Sequence, residues 1–179
     1  VRAGLPSLEH VVHVPYAGGP GDALPGTIGW EELLAEPGAL EFDPVPFAHP
    51  LYVLFSSGTT GLPKAIVHGH GGILLEHLKT LALHHDLGPS DRFFWFTTTG
   101  WMMWNFLVGV LLAGSAIVLW DGAPDVHGLW DFIREARVTT FGTSAGFITA
   151  CMKEGVDPGP LPDVRAIGSC IKGGRRLSY

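Results

Sequence analysis

The stretch Leu51-Tyr52-Val53-Leu54-Phe55-Ser56-Ser57-Gly58-Thr59-Thr60-Gly61-Leu62-Pro63-Lys64-Ala65-Ile66-Val67-His68 decides the reading of this chain. An apolar run from Leu51 to Phe55 gives way to hydroxyls, glycines, a proline and a lysine, and an apolar run resumes at Ala65. Short apolar runs on either side of such a loop predict strands. In the loop itself, glycines let the backbone approach a ligand closely with its N–H groups turned inward. Serine and threonine hydroxyls add hydrogen bonds, and a lysine adds a mobile positive charge. That chemistry suits a polyphosphate.

The nucleotide loop that feeds straight into a helix, with Gly-Lys-Ser/Thr at its end, does not fit these residues. Gly58 and Gly61 stand too close together, Pro63 separates Gly61 from Lys64, and the residues that follow predict a strand. The order Ser-Gly-Thr-Thr-Gly-x-Pro-Lys resembles instead the signature of the adenylate-forming superfamily, which contains acyl-CoA synthetases, luciferases and peptide-synthetase adenylation domains. Ser56 stands where that signature usually opens with threonine, so a hydroxyl is kept. Ala65 stands where glycine often follows the lysine, which narrows the backbone freedom there.

Within that superfamily the segments Ile66 to His77 and Asp91 to Asn105, with Phe141-Gly142-Thr143-Ser144-Ala145, are similar to the acetoacetyl-CoA synthetases. The similarity runs from about Pro50 to Ser169. It implies an acid–CoA ligase that uses ATP, Mg²⁺ and coenzyme A: a carboxylate attacks the α-phosphate, pyrophosphate leaves, and the CoA thiol displaces AMP from the acyl-adenylate. It implies that Ser56, Ser57, Gly58, Thr59, Thr60, Gly61 and Lys64 cradle the ATP phosphates. It further implies that Trp101, Met102 and Met103 line the pocket for a small acid, acetoacetate or another short one; core packing is the alternative for these three. Thr143 and Ser144 would lie in a loop beside the adenylate, with helix capping the equal alternative for Ser144. Gly168 and Ser169 look like the start of the Gly-Ser-x-Gly loop that meets the adenine.

Composition narrows the partners. The 179 residues are 46% hydrophobic, enough for one sizeable core, and the net charge is −6. A nucleic-acid or anionic-membrane partner is not expected, because phosphates in bulk need clustered Lys and Arg, found only at Lys172 to Arg176. The two cysteines, Cys151 and Cys170, fit no zinc spacing, no leader sequence is recognisable, and a reducing cytoplasm is expected. His68 and His70 lack a third ligand at a convincing spacing, so no metal site is expected there. Trp101 to Trp120 is a 20-residue run with only Asn105 and Ser115 polar. Its glycines divide it, so it reads as a buried helix, Met102 to Ala113, then a strand, Ala116 to Leu119, and not as a membrane span.

Other strands are expected at Val11 to Val14, Arg92 to Phe96 and Val138 to Phe141. Helices are expected at Gly29 to Leu34, Gly72 to His84, Leu129 to Glu135 and Gly146 to Lys153. This alternation predicts an α/β fold, a largely parallel sheet covered by helices on both faces. The chain reads as part of the large N-terminal AMP-binding domain of such ligases, with an opening segment over residues 1–49 and a divergent tail over 170–179. No aromatic-Gly-x-Thr-Glu segment, Ser/Thr-Gly-Asp segment or lysine-bearing C-terminal domain is found. A clipped or frame-shifted copy that forms no acyl-adenylate by itself is therefore expected. A ligase for acetate or propionate, or a non-catalytic nucleotide-binding remnant, stands as the alternative.

Overall fold

The computed structural model describes residues 2–16, 24–35, 37–56, 61–122 and 125–170. The chain divides after Pro44 into two compact units. In the first, β1 (Val12–His13) pairs in parallel with β2 (Ile28–Gly29), which runs into helix α1 (Trp30–Ala35). Glu32 Oε2 accepts from the Gly29 N–H at 3.3 Å, satisfying a donor at the start of that helix.

The second unit opens with an antiparallel hairpin, β3 (Pro50–Ser56) against β4 (Lys64–Gly69). This is the strand-loop-strand arrangement that the sequence predicts. Helix α2 (His70–Leu78) starts directly from β4. Its first N–H groups are not capped by a side chain; His70 N donates to His49 O and Gly71 N to Phe47 O, both at 2.9 Å. The ring of Phe47 fills the space where a side chain on Gly71 would sit, so glycine is needed there. The helix passes into a π-helical turn, Lys79–His84.

Four parallel strands follow, in the order β6-β5-β7-β8: β5 (Arg92–Trp95), β6 (Ala116–Val118), β7 (Thr140–Ser144) and β8 (Ala166–Cys170). Phe93, Phe94 and Trp95 of the central strand are all buried, as a strand covered on both faces requires. Phe93 and Trp95 join the core made with Leu107 of α3 (Met102–Gly109). Phe94 and Phe141 join the opposite core, made with Leu129, Trp130 and Ile133 of α4 (Gly128–Glu135) and Phe147 and Cys151 of α5 (Ala145–Glu154).

The run from Trp101 divides as expected: α3 continues as a 3₁₀ turn, Val110–Ala113, Gly114 reverses the chain at φ +76°, and β6 begins. No described helix is long and apolar enough to cross a membrane. Two expectations are corrected. Thr143 and Ser144 are the last residues of β7, not a loop beyond it, because their backbone continues the ladder with β8. Gly168 and Ser169 lie inside β8, not at the start of a loop. Glycine and serine favour turns locally, but pairing with β7 across the sheet overrides that preference.

Candidate functional site

The hairpin places Ser56 and Lys64 opposite one another as its last register pair, at the mouth of the loop, and both are exposed. Exposed Gly61 lies between them. Ser57, Gly58, Thr59 and Thr60, the other residues expected to hold phosphate, lie outside the described residues.

A second group collects at the C-terminal ends of the parallel strands. The order β6-β5-β7-β8 reverses direction at β5 and β7, because the chain moves first to one side of β5 and then to the other. Open α/β sheets bind ligands in the crevice at such a reversal. Ser144 is exposed there, and its Oγ accepts from Phe147 N at 3.1 Å, so it caps α5. Thr143 points to the opposite face, is fully buried, and its Oγ1 has no hydrogen-bond partner among the described residues. Ser169 is exposed on β8.

Gly142 and Gly168 are register partners, and Trp95 is the partner of Gly142 on its other side. The indole of Trp95 lies across this row: it occupies the space of a Gly142 side chain and comes within 3.0 Å of where a Gly168 Cβ would be. Phe106 meets the indole edge-on, with ring centroids 6.0 Å apart.

The three residues expected to line an acid pocket separate. Trp101 and Met102 are half exposed at the start of α3, at 50% and 51%, whereas Met103 is buried in the core beside α3. None of them lines the apolar cavity of about 480 Å³ that opens among β3, α2 and α3. Its wall includes Tyr52, Ile73, His77, Trp104, Asn105 and Val108. Helical spacing on α2 and α3, read pairwise, is the signal that could have brought these residues together. Burial, and then the charge of His68, holds the His77 imidazole below its ordinary range and keeps it neutral.

His68 rests against Tyr52 with ring centroids 5.3 Å apart, and His70 Nδ1 donates to His49 O at 2.8 Å. Among the described residues no group of three His, Cys, Asp or Glu side chains could hold a metal ion.

The profile of the AMP-binding enzyme family matches residues 5–178. An acetoacetyl-coenzyme A synthetase of Rhizobium meliloti is 43% identical over 187 residues, covering 99% of this chain and 29% of the relative. An acetoacetyl-CoA synthetase of Gallus gallus is 37% identical, covering 99% of this chain and 28% of the relative. A solved acetoacetyl-CoA synthetase from Streptomyces lividans is 51% identical, with a TM-score of 0.86 over 94% of this chain and 27% of its own. The chain thus spans less than a third of these relatives' length. With residues 5–178 matched by one family profile and the fold shared with a solved relative, the chain belongs to the AMP-binding enzyme family.

Proposed function

We propose that these residues form the phosphate-loop and adenylate-side part of an ATP-dependent acid–CoA ligase whose acid is acetoacetate. The observation that carries the reading is the hairpin mouth, where Ser56 and Lys64 face each other across a Gly/Ser/Thr loop. The similarity to acetoacetyl-CoA synthetases along nearly the whole chain supports the choice of acid.

Charge grows on phosphate oxygens as the carboxylate attacks the α-phosphate and pyrophosphate departs. Donors already fixed in place stabilise that charge at low reorganisation cost. Lys64 supplies the cation, Ser56, Ser57, Thr59 and Thr60 supply hydroxyls, and Gly58 and Gly61 let the backbone N–H groups approach. Ser144 and Ser169 offer hydroxyls at the C-terminal ends of β7 and β8, from opposite faces of the sheet, with Thr143 and Gly168 in the same strands. Trp101 and Met102 offer an apolar wall to a short acid, while Met103 lies in the core with Phe93, Trp95 and Leu107. Magnesium is expected with ATP, yet the described residues gather no three metal-ligating side chains. To the phosphates the stretch 56–64 offers hydroxyls, backbone N–H groups and the Lys64 ammonium. Cys151, a free and buried thiol, suits a reducing cytoplasm.

Acid-dependent exchange of pyrophosphate into ATP by the full-length protein tests the reading. Acetoacetate is expected to support exchange better than acetate or propionate, and Lys64→Met to raise KM for ATP by about tenfold. Faster exchange with acetate or propionate moves the assignment to those acids. No MgATP binding at all removes it.

A further inference from the structure

The proposed site uses residues at the C-terminal ends of β7 and β8, and those two ends must be held level for Ser144 and Ser169 to act on one ligand. Three neighbouring strands contribute one lateral row, Trp95, Gly142 and Gly168. Two of the three have no side chain, and the third spreads its indole over both vacancies. Trp95 is 8% exposed, stacks on Phe93 at a centroid distance of 6.0 Å, and is met edge-on by Phe106 from α3. A single rigid ring thereby bears on three strands, and a side chain at Gly142 would collide with it.

The row two residues back, on the same face of the sheet, is Phe93, Thr140 and Ala166, and its ring, Phe93, is buried in the same core as Trp95. The residues one and two steps ahead of the Trp95 row are Thr143, Ser144 and Ser169. The ring therefore sits directly beneath the edge where the strand order reverses.

We propose that Trp95 is a positioning residue for the nucleotide: its indole, seated on Gly142 and Gly168, fixes the height at which β7 and β8 present Ser144 and Ser169. The proposal rests on the ligase reading. A flat ring cannot follow the strands if they slide, whereas a flexible aliphatic side chain can, so replacing the ring loosens this edge while the loop at Lys64 stays as it is.

The test compares Trp95→Leu, Trp95→Phe and Phe93→Leu in the full-length protein, with KM for ATP, KM for the acid, MgATP binding and Tm measured for each. Trp95→Leu is expected to raise KM for ATP about tenfold while KM for the acid stays within about twofold, and Trp95→Phe to fall between it and the parent. Phe93→Leu removes a comparable ring of the same core two residues back and is expected to lower Tm with both KM values unchanged. Should Trp95→Leu fail to fold, Trp95→Phe decides: an unchanged KM for ATP overturns the proposal. Equal shifts in ATP and acid parameters, or the same shifts in Phe93→Leu, also overturn it, because the ring is then only core. A parent that binds no MgATP brings down the ligase reading and this proposal together; a parent that binds it while the Trp95 variants bind equally well brings down this proposal alone.

Discussion

Arg165 and Asp91, 74 residues apart in sequence, meet through Arg165 Nε and Asp91 Oδ1 at 3.0 Å. The contact sits at the end of the sheet opposite the candidate site, since Asp91 precedes β5 and Arg165 precedes β8. Thr139, which precedes β7, donates its hydroxyl to the same Oδ1 at 2.7 Å, and Gly88 N donates to Oδ2 at 2.9 Å. Arg165 also donates to His85 O at 3.2 Å and Asp86 O at 2.6 Å, gripping the turn where the π-helical segment ends. One carboxylate and one guanidinium therefore tie together the starts of three strands.

Removing the carboxylate leaves the Arg165 charge half covered without its partner. Asp91→Ala is expected to cost about 2 kcal/mol of unfolding free energy, measured by urea titration. Arg165→Lys is not expected to substitute, because one ammonium cannot reach Asp91, His85 and Asp86 together. A loss below about 0.5 kcal/mol in Asp91→Ala contradicts the assignment.

Stability should fall with acid in two stages. Burial by itself raises the Asp91 carboxyl, but the hydrogen bonds from Arg165, Thr139 and Gly88 and the Arg165 charge outweigh it and leave it below the ordinary range. A folded pKa below the unfolded one gives stability that is full above about pH 4 and is lost as pH falls through the folded value. His77 and His85 are lowered chiefly by burial, then by neighbouring cations, so the fold holds them neutral. Their contribution is full above about pH 6.5 and declines below it. Urea midpoints at about pH 7, 5.5 and 3.5 should show both declines, and Asp91→Asn should flatten only the lower one. No decline between the first two points contradicts the histidine part.

Gly155 ends α5 at φ +65°, with its N–H directed to the carbonyls of Cys151 and Met152. A side chain added there would meet no atom within 4 Å. Gly155→Ala is therefore expected to cost about 1 kcal/mol through the backbone alone, and Gly155→Asn less. Thermal unfolding of the two variants checks the order.

Ser144 separates capping from nucleotide contact. Ser144→Ala is expected to cost about 1 kcal/mol because the Phe147 N–H loses its acceptor. Ser144→Asp keeps an acceptor and should hold Tm, yet it places a negative charge on the adenylate side and should weaken MgATP binding by about tenfold. Unchanged binding in Ser144→Asp assigns the serine to capping only.

Local chemistry made much of this legible in the sequence. The apolar runs around Ser56 and Lys64 gave the hairpin, and the Gly114 break gave the division between α3 and β6. The strand Ala166–Cys170 was not legible, because its glycine and serine carry no strand preference and it is held by β7 and by the Trp95 ring. The same limit applies to Met103, whose neighbours Phe93 and Trp95 arrive from another element. Spacing along one helix could not tell that Met102 faces outward and Met103 inward.

The central place of β5 has a consequence for synthesis. As the chain leaves the ribosome, β5 can pair with β6 as soon as residues 116–118 emerge, but its other edge stays unpaired until residues 140–142 follow. Through that interval the strand carrying Phe93, Phe94 and Trp95 offers open backbone to any neighbouring nascent chain, the setting in which an unfinished sheet aggregates. A pause in translation between β6 and β7 would lengthen that exposure, whereas a pause after β7 would not.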